Sequence, residues 1–359
     1  MRIVISGYYG FHNIGDEAIL YSIIQSLKSY EQNVKITVLS NDPEFTRHTY
    51  GVDAVNRWNI KEVLHSLKKS DGLISGGGSL LQDQTGWKSI PYYTGIMALA
   101  KIAKKPIFVY AQGMGPINKV FSKRIVNLAL NRVSAITVRD ERSKELLKSL
   151  NVIKPIGLVP DPVLGLSVGA TESEWINSLN TSKQFIVVSV RDWQTKYAYL
   201  KNIADSLSMF IEDYQVILLP MHGKHDEETS KKLNEMLDNK ALIAPYEASI
   251  QEKIAIIGNG ALLIGMRLHA LIFAAITNTP FIALSYDPKI DVFTEQANQV
   301  VAGHVEINNW SAQTLADEIT KVLHQSTVYK ERLEKATATL KSEAIQTASQ
   351  AIQVFRNQD

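Results

Sequence analysis

Short apolar runs, many of them β-branched, alternate along this chain with longer stretches in which apolar positions recur every three to four residues. The short runs read as buried strands and the longer stretches as amphipathic helices. In the first half, strands are predicted at 3–6, 34–39, 72–75, 107–110 and 135–138. Helices are predicted at 16–29, 60–69, 90–103 and 119–131. Another opens at Arg139-Asp140-Glu141-Arg142-Ser143, whose acids suit the positive end of a helix dipole. The second half repeats the pattern, with strands at 185–190, 215–219, 241–244, 261–264 and 280–284. Its helices fall at 197–212, 227–237, 250–258 and after Arg267. The tail, 327–353, reads as one long helix rich in Ala, Lys and Glu.

Alternation of this kind builds parallel α/β sheets. It breaks once, where Pro155, Gly157, Pro160, Pro162, Gly165 and Gly169 crowd together ahead of the polar stretch 177–183. Clustered Pro and Gly interrupt both helix and strand, so a domain boundary is expected there. The expected architecture is α/β, with two Rossmann-like doubly wound domains facing a cleft. Residues 1–165 form the first, 166–326 the second, and the helix in 327–359 crosses back to brace the first.

Composition narrows the function without naming it. At 359 residues, 45% hydrophobic and 21% charged, the chain fits a two-domain soluble protein. A net charge of +2 is too mild to point to nucleic acid. With no cysteine there is no thiol catalysis, disulfide or cysteine metal site. The opening Met1-Arg2-Ile3-Val4-Ile5-Ser6-Gly7 reads as a first strand rather than a signal peptide. No run approaches the ~20 apolar residues of a membrane span, so a cytoplasmic location is expected.

Residues capable of chemistry gather just past the predicted strand ends, where ligands of open α/β sheets bind. Gly265-Met266-Arg267-Leu268-His269-Ala270 places a strong base and a histidine where a strand hands over to a helix. Helix-start amides attract anions, so this stretch suits a negatively charged substrate; a solvated arginine and a packed histidine are the plain alternative. Residues at i and i+2 diverge on a helix, so both reach one anion only if Arg267 precedes the first turn. Arg191 ends another strand; His222, Lys224 and His225 follow a third, and Tyr286, Asp287 and Lys289 a fourth. Arg is suited to bidentate capture of carboxylate or phosphate. His222 and His225 are spaced like metal ligands, but no carboxylate-rich cluster completes a site, which favours a solvated loop. Lys289 reads equally well as a surface lysine.

In the first half, Gly7-Tyr8-Tyr9-Gly10-Phe11-His12-Asn13-Ile14-Gly15-Asp16-Glu17 follows the first strand without the dinucleotide glycine spacing. Asp16 is either a helix cap or a catalytic carboxylate. Gly76-Gly77-Gly78-Ser79-Leu80-Leu81-Gln82-Asp83 places three glycines ahead of an expected helix, baring amides to a phosphate or sugar. Ala111-Gln112-Gly113-Met114-Gly115-Pro116 reads as a further loop on the same edge or as a plain turn.

Taken together, the 10–17 loop, Ser75–Asp83, Gln112–Pro116 and Gly265–Ala270 resemble the polysaccharide pyruvyl transferase family, and most nearly its CsaB-type members of Gram-positive cell-wall polymer synthesis. The resemblance runs from the first strand to about Lys289. It implies a GT-B-like fold, with phosphoenolpyruvate as donor substrate and no cofactor or metal. It implies a sugar acceptor that becomes a 4,6-pyruvyl ketal, carried as N-acetylmannosamine on a lipid-diphosphate-linked disaccharide. The pyruvylated polymer anchors surface-layer proteins. By the family pattern Arg191, Arg267, Leu268 and His269 match donor positions, joined by Lys289. First-domain loops, with His12, Asn13, Glu17, Gly77, Gly78, Gln82 and Asp83, would hold the acceptor.

On this reading His269 is the general acid and Asp16, ahead of Glu17, takes the hydroxyl proton. A lipid-linked acceptor raises peripheral contact with the inner face of the membrane, through Trp87-Lys88-Ser89-Ile90-Pro91-Tyr92-Tyr93 and Lys101, Lys104 and Lys105. Ordinary core packing of that helix is the alternative. Two rivals share the features: a nucleotide-sugar glycosyltransferase or epimerase, and a non-catalytic sugar-phosphate binding protein.

Overall fold

The alternation folds into two parallel sheets. The computed structural model describes residues 1–84, 86, 88–168, 172–179, 181–193, 198–307 and 309–357. Gly169, Trp87 and Tyr197, where the Pro/Gly break, the membrane segment and one helix start were expected, lie outside the described residues. The chain forms two compact units, Met1–Leu166 with Leu340–Asp359, and Ser167–Thr339.

The first unit contains β1 (Arg2–Ser6), β2 (Lys35–Ser40), β3 (Asp53–Asn56), β4 (Gly72–Ser75), β5 (Gly78–Leu81), β6 (Ile107–Met114), β7 (Ala135–Val138) and β8 (Ile156–Leu158). Their order is β3-β2-β1-β4-β6-β7-β8, with β5 paired to the C-terminal end of β6, and every pairing is parallel. Parallel neighbours need long crossovers. These are carried by α1 (Ile14–Tyr30), α2 (Pro43–Tyr50), α3 (Ile60–Lys69), α4 (Ser89–Ile102), α5 (Val120–Leu130) and α6 (Glu141–Ser149). Helices on both faces explain why Ile3, Val4 and Ile5 are all buried although they alternate in direction. Local signals agree with the ends. In α3, Asn59 accepts from the Glu62 amide at the start, Val63 and Leu67 form the buried face, and Lys68 and Lys69 close the last turn.

The second unit contains β9 (Gln184–Ser189), β10 (Tyr214–Leu218), β11 (Leu242–Ile243), β12 (Gly260–Gly265), β13 (Phe281–Ser285) and β14 (Val300–His304), all parallel. The order β11-β10-β9-β12-β13-β14 is the 3-2-1-4-5-6 arrangement of a Rossmann sheet. Its helices are α7 (Glu174–Ser178), α8 (Ala198–Leu207), α9 (Gly223–Met236), α10 (Ile250–Gly258), α11 (Leu268–Thr277), α12 (Pro288–Gln296) and α13 (Ala312–His324). The last helix, α14, runs Ser326–Arg356. Near its end Phe355 packs on Gly72, and Arg356 pairs with Glu31, both in the first unit.

Several elements depart from the sequence reading. The stretch 43–56 holds α2 and β3, which are too short and too polar to show a period. The Pro/Gly break contains β8, and β14 follows α12 beyond the last predicted strand. The residues Ala111–Met114 continue β6 rather than forming a loop. The three glycines lead into strand β5, not a helix, so no helix-start amides stand behind them. Close packing accounts for them instead. A Cβ on Gly76 would lie 2.1 Å from the Tyr9 hydroxyl, one on Gly77 2.7 Å from Ile19, and one on Gly78 2.7 Å from an Asp16 carboxylate oxygen.

Gly78 also has φ of 89°, a conformation that L side chains rarely adopt. Gly78→Ala is expected to cost about 1–3 kcal/mol through strain and contact with Asp16. Chemical denaturation measures this, and a loss under about 0.5 kcal/mol, the level of an ordinary surface change, would show that the strand end relaxes freely.

Candidate active site

In the second unit the sheet order reverses between β9 and β12, and the two predicted arginines follow those strands. Arg267 is the N-cap of α11, with extended backbone angles (φ −88°, ψ 122°), and Leu268 is the first helical residue. Arg267 therefore precedes the first turn, which is the condition for it and His269 to address one ligand. Leu268 is buried; His269 is half-buried, with its Nε2 shielded from solvent.

Arg267 is held by Asp226, from the first turn of α9. Its Nε donates to Asp226 Oδ2 at 3.0 Å and one terminal amino group donates to Oδ1. Asp226 is 1% exposed, and its Oδ2 also accepts from the amides of Met221 (3.2 Å) and His222 (2.9 Å). One buried carboxylate thus orients the guanidinium and ties down the loop after β10. It occupies two of the five N–H donors of Arg267, leaving donors for an anion.

Arg191 leaves β9 beneath two rings. Its guanidinium carbon lies 4.5 Å from the Tyr286 ring centre and 5.1 Å from that of Trp193, a cation–π arrangement that holds the charge without cancelling it. Its backbone carbonyl accepts from the Tyr199 hydroxyl at 2.6 Å. His222 reports on both arginines: burial lowers its pKa first, followed by the positive charge of Arg267 and, more weakly, that of Arg191. Hydrogen bonds thus join His222, Asp226 and Arg267, with Arg191 following the neighbouring strand. Lys289 is placed differently, exposed on α12 with its ammonium 3.1 Å from Asp287.

His222 and His225 do not lie in a solvated loop, which the lack of a carboxylate-rich cluster beside them favoured over a metal site. His222 is the half-buried N-cap of α9 and His225 sits in its first turn, because that helix start delivers Asp226 to Arg267. Among the described residues no group of three or more His, Asp or Glu side chains is arranged to hold a metal. Lys253, on α10, is fully buried and donates to the carbonyls of Pro220 (2.5 Å) and Tyr246 (3.0 Å). Burial pulls its pKa down to about 8, against the pull of Asp226 and Glu247.

At the strand ends of the first unit, Asn13 rather than Asp16 caps α1, accepting from the Gly15 amide at 3.1 Å. Asp16 is half-buried in the first helical turn against Gly78. Burial, then the Asp16 charge, raises the pKa of both Tyr8 and Tyr9. Glu17 is buried, accepting from the Gly10 amide (2.8 Å) and the Tyr50 hydroxyl (2.7 Å); burial raises its pKa while those bonds restrain the shift. Asp83 accepts from the amides of Asn118 and Lys119, both at 2.9 Å, and so anchors the approach to α5. Gln82 accepts from the Gln84 amide at 2.9 Å. Gly77 and Gly78 lie against α1, and His12 stands exposed with φ of 57°.

Tyr92 and Tyr93 do not face outward as a membrane anchor would require. Both turn inward over buried Arg57, while Lys101 and Lys104 are exposed at the far end of α4. No helix among the described residues is long and apolar enough to cross a membrane.

Sequence reasoning missed Asp226, Lys253 and Arg57. An acid in a first turn and a lysine on a helix look like ordinary dipole and surface choices, so neither stood out. Arg57 carried one usable signal, its place beside Trp58 just past a short strand.

Two parallel-sheet units, one with the Rossmann strand order, define a GT-B-like α/β fold. Residues 13–288 match the profile of the polysaccharide pyruvyl transferases, and the chain belongs to that family. It is a transferase that places pyruvate on polysaccharide. It is similar to the amylovoran biosynthesis protein AmsJ of Erwinia amylovora, 22% identical, covering 80% of this chain and 84% of AmsJ. Among solved structures it is similar to HepE of Anabaena in complex with UDP-glucose, at 12% identity, TM-score 0.68 and 99% coverage of both chains. It is also similar to the UDP-GlcNAc 2-epimerase of Neisseria meningitidis, at 11% identity and TM-score 0.65, covering 99% of this chain and 100% of that one. At such identities these likenesses show a common fold.

Removing one partner of a buried pair strands the other charge. Asp226→Ala is expected to lower stability by about 3 kcal/mol. A urea titration showing less than about 1 kcal/mol would mean that water screens the pair. Arg191→Ala is expected to raise the His222 pKa toward its ordinary value, because a positive neighbour disfavours imidazolium. NMR titration of the imidazole follows this, and an unmoved midpoint would separate Arg191 from the site.

Proposed function

We propose that the protein transfers the enolpyruvyl carbon skeleton of phosphoenolpyruvate to a sugar of a cell-wall polysaccharide precursor, forming a 4,6-ketal and releasing phosphate. The observation that carries this reading is the pair of arginines that follow the adjacent strands β9 and β12, with Arg267 held by Asp226, in a chain of this family. Phosphoenolpyruvate presents a carboxylate and a phosphate, and two guanidinium groups are matched to that pair. Asp226 pre-sets Arg267, so little reorganisation is needed when the donor arrives.

Protonation of the donor methylene by His269 makes its central carbon electrophilic. A sugar hydroxyl adds there, giving up its proton to Asp16. The C–O bond to phosphate then breaks, the second hydroxyl closes the ketal, and its proton leaves with phosphate. The two hydroxyl hydrogens thus balance the new methyl C–H and the released hydrogen phosphate. Arg191, Arg267 and the amides at the start of α11 stabilise the departing phosphate. Leu268, the first residue of α11, completes the donor side, whereas Lys289 is paired with Asp287 and plays no part in it.

The acceptor in this reading is N-acetylmannosamine within a lipid-diphosphate-linked disaccharide, as in CsaB-type enzymes. The product would belong to a secondary wall polymer that anchors surface-layer proteins, made at the inner face of the membrane. A nucleotide-sugar reaction is the competing reading, since HepE and the epimerase were solved with UDP-sugars on the same fold.

Phosphate release from phosphoenolpyruvate with a panel of disaccharide acceptors, run beside UDP-glucose, separates the two. His269→Ala is expected to abolish turnover while phosphoenolpyruvate still binds by calorimetry; activity near wild type would remove His269 from the chemistry.

A further inference from the structure

We propose that Lys253 is a positioning residue for the anion site of the second unit, gripping one peptide of the loop after β10 from the side opposite Asp226. That the anion is phosphoenolpyruvate rests on the pyruvyl-transfer reading; the grip itself does not.

The peptide is the one joining Pro220 to Met221. Its carbonyl accepts from the Lys253 ammonium at 2.5 Å, and its N–H donates to Asp226 Oδ2 at 3.2 Å. In a trans peptide these groups point in opposite directions, so a cation and an anion hold the unit from its two sides. Asp226 in turn accepts from Arg267 Nε at 3.0 Å. The result is a line of alternating charge that runs from ammonium through peptide dipole and carboxylate to guanidinium. Each bond in it has a charged member, and such bonds are stronger than neutral ones and polarise one another. Lys253 also donates to the Tyr246 carbonyl at 3.0 Å, so it ties the loop after β11 to the loop after β10.

Packing alone does not call for a lysine here. Lys253 is 0% exposed on the buried face of α10, which it shares with Ile250, Ile254 and Ile257. A methionine would fill a similar volume without taking an ammonium out of water. A costly buried charge with two specific acceptors, one peptide away from the arginine clamp, points to function rather than to core stability.

The proton on Lys253 and the anion on Arg267 are therefore coupled, and each strengthens the other. Asp226 on α9 and Glu247 ahead of α10 favour the ammonium, while burial opposes it more strongly and brings its pKa down to about 8. Glu252, beside it on α10, is engaged by the Ser173 hydroxyl and the Trp175 amide, and Glu174 on α7 is exposed. The helix α11 contributes only His269, and Arg267 lies beyond Asp226. An unfolded lysine keeps its proton to a higher pH, so the folded chain gains stability as pH rises past that value. Anion binding moves the other way, because the positive end of the line is lost. A purely structural lysine would move both together.

The test compares the full chain with Lys253→Met by calorimetry, using phosphoenolpyruvate and sulfate, whose charge is constant in the range used. At about pH 7 the variant is expected to bind each anion about fivefold or more weakly. Between about pH 7 and 9 the wild type is expected to lose sulfate affinity by a similar factor while its melting temperature rises relative to the variant's. The variant's sulfate affinity is expected to stay level. Sulfate affinity within about twofold of wild type in the variant, or the same pH slope in both, overturns the proposal. So does a lowered melting temperature with unchanged sulfate affinity, or a wild type that binds neither anion. If the variant does not fold, the wild type decides alone. Level sulfate affinity then overturns the proposal, and a fall centred near the Lys253 pKa upholds it. Sulfate behaving as expected in a protein that binds no phosphoenolpyruvate would keep the role of Lys253 and remove the pyruvyl-transfer reading. Turnover of phosphoenolpyruvate with the same KM in both proteins would do the reverse.

Discussion

Asp226 is a carboxylate in a place that water hardly reaches, and the loop after β10 and the start of α11 are arranged around it. Its two oxygens take two bonds from Arg267 and two from the amides of Met221 and His222. A buried carboxylate is tolerable only when it is satisfied in this way. The consequence reaches both directions along the chain. Backward, the loop after β10 is pinned, with Lys253 fixing its other side through the Pro220 carbonyl. Forward, Arg267 is locked at the start of α11 in an extended conformation, which lets the helix begin at Leu268 and brings His269 into the first turn.

The first unit solves a related problem with opposite chemistry. Arg57 is buried among neutral groups, compensated by ring faces and by the Gly7 carbonyl rather than by a carboxylate. The two devices have different effects. Around Arg267 the negative partner orients a cation while leaving donors for an anionic ligand. Around Arg57 the cation is enclosed, and what reaches solvent is the aromatic surface it organises.

Much of the fold was legible because parallel sheets are simple to read. Strands buried on both faces must be continuously apolar, so 72–75 and 135–138 emerged with the bounds the structure has. Elements that failed to emerge were those too short to show a period. β3 is Asp53-Ala54-Val55-Asn56, with polar ends, and β5 begins inside a glycine run. The glycines were misread for a physical reason. A run of Gly signals close approach, and sequence does not say whether a ligand or a helix makes that approach; here α1 does.

What the sequence determined by itself was the layered α/β class, the family, and the presence of Arg191 and of Arg267-Leu268-His269 past strand ends. Those follow from local periodicity and from motifs a few residues long. Only the tertiary structure decided that Arg267 stands outside the helix and is clamped, since Asp226 lies 41 residues away in the chain. The same holds for Arg57, whose rings come from the β1–α1 loop and from α4 as well as from its neighbour Trp58. Such pairings depend on which strand ends the sheet order brings side by side, and no local pattern encodes that order.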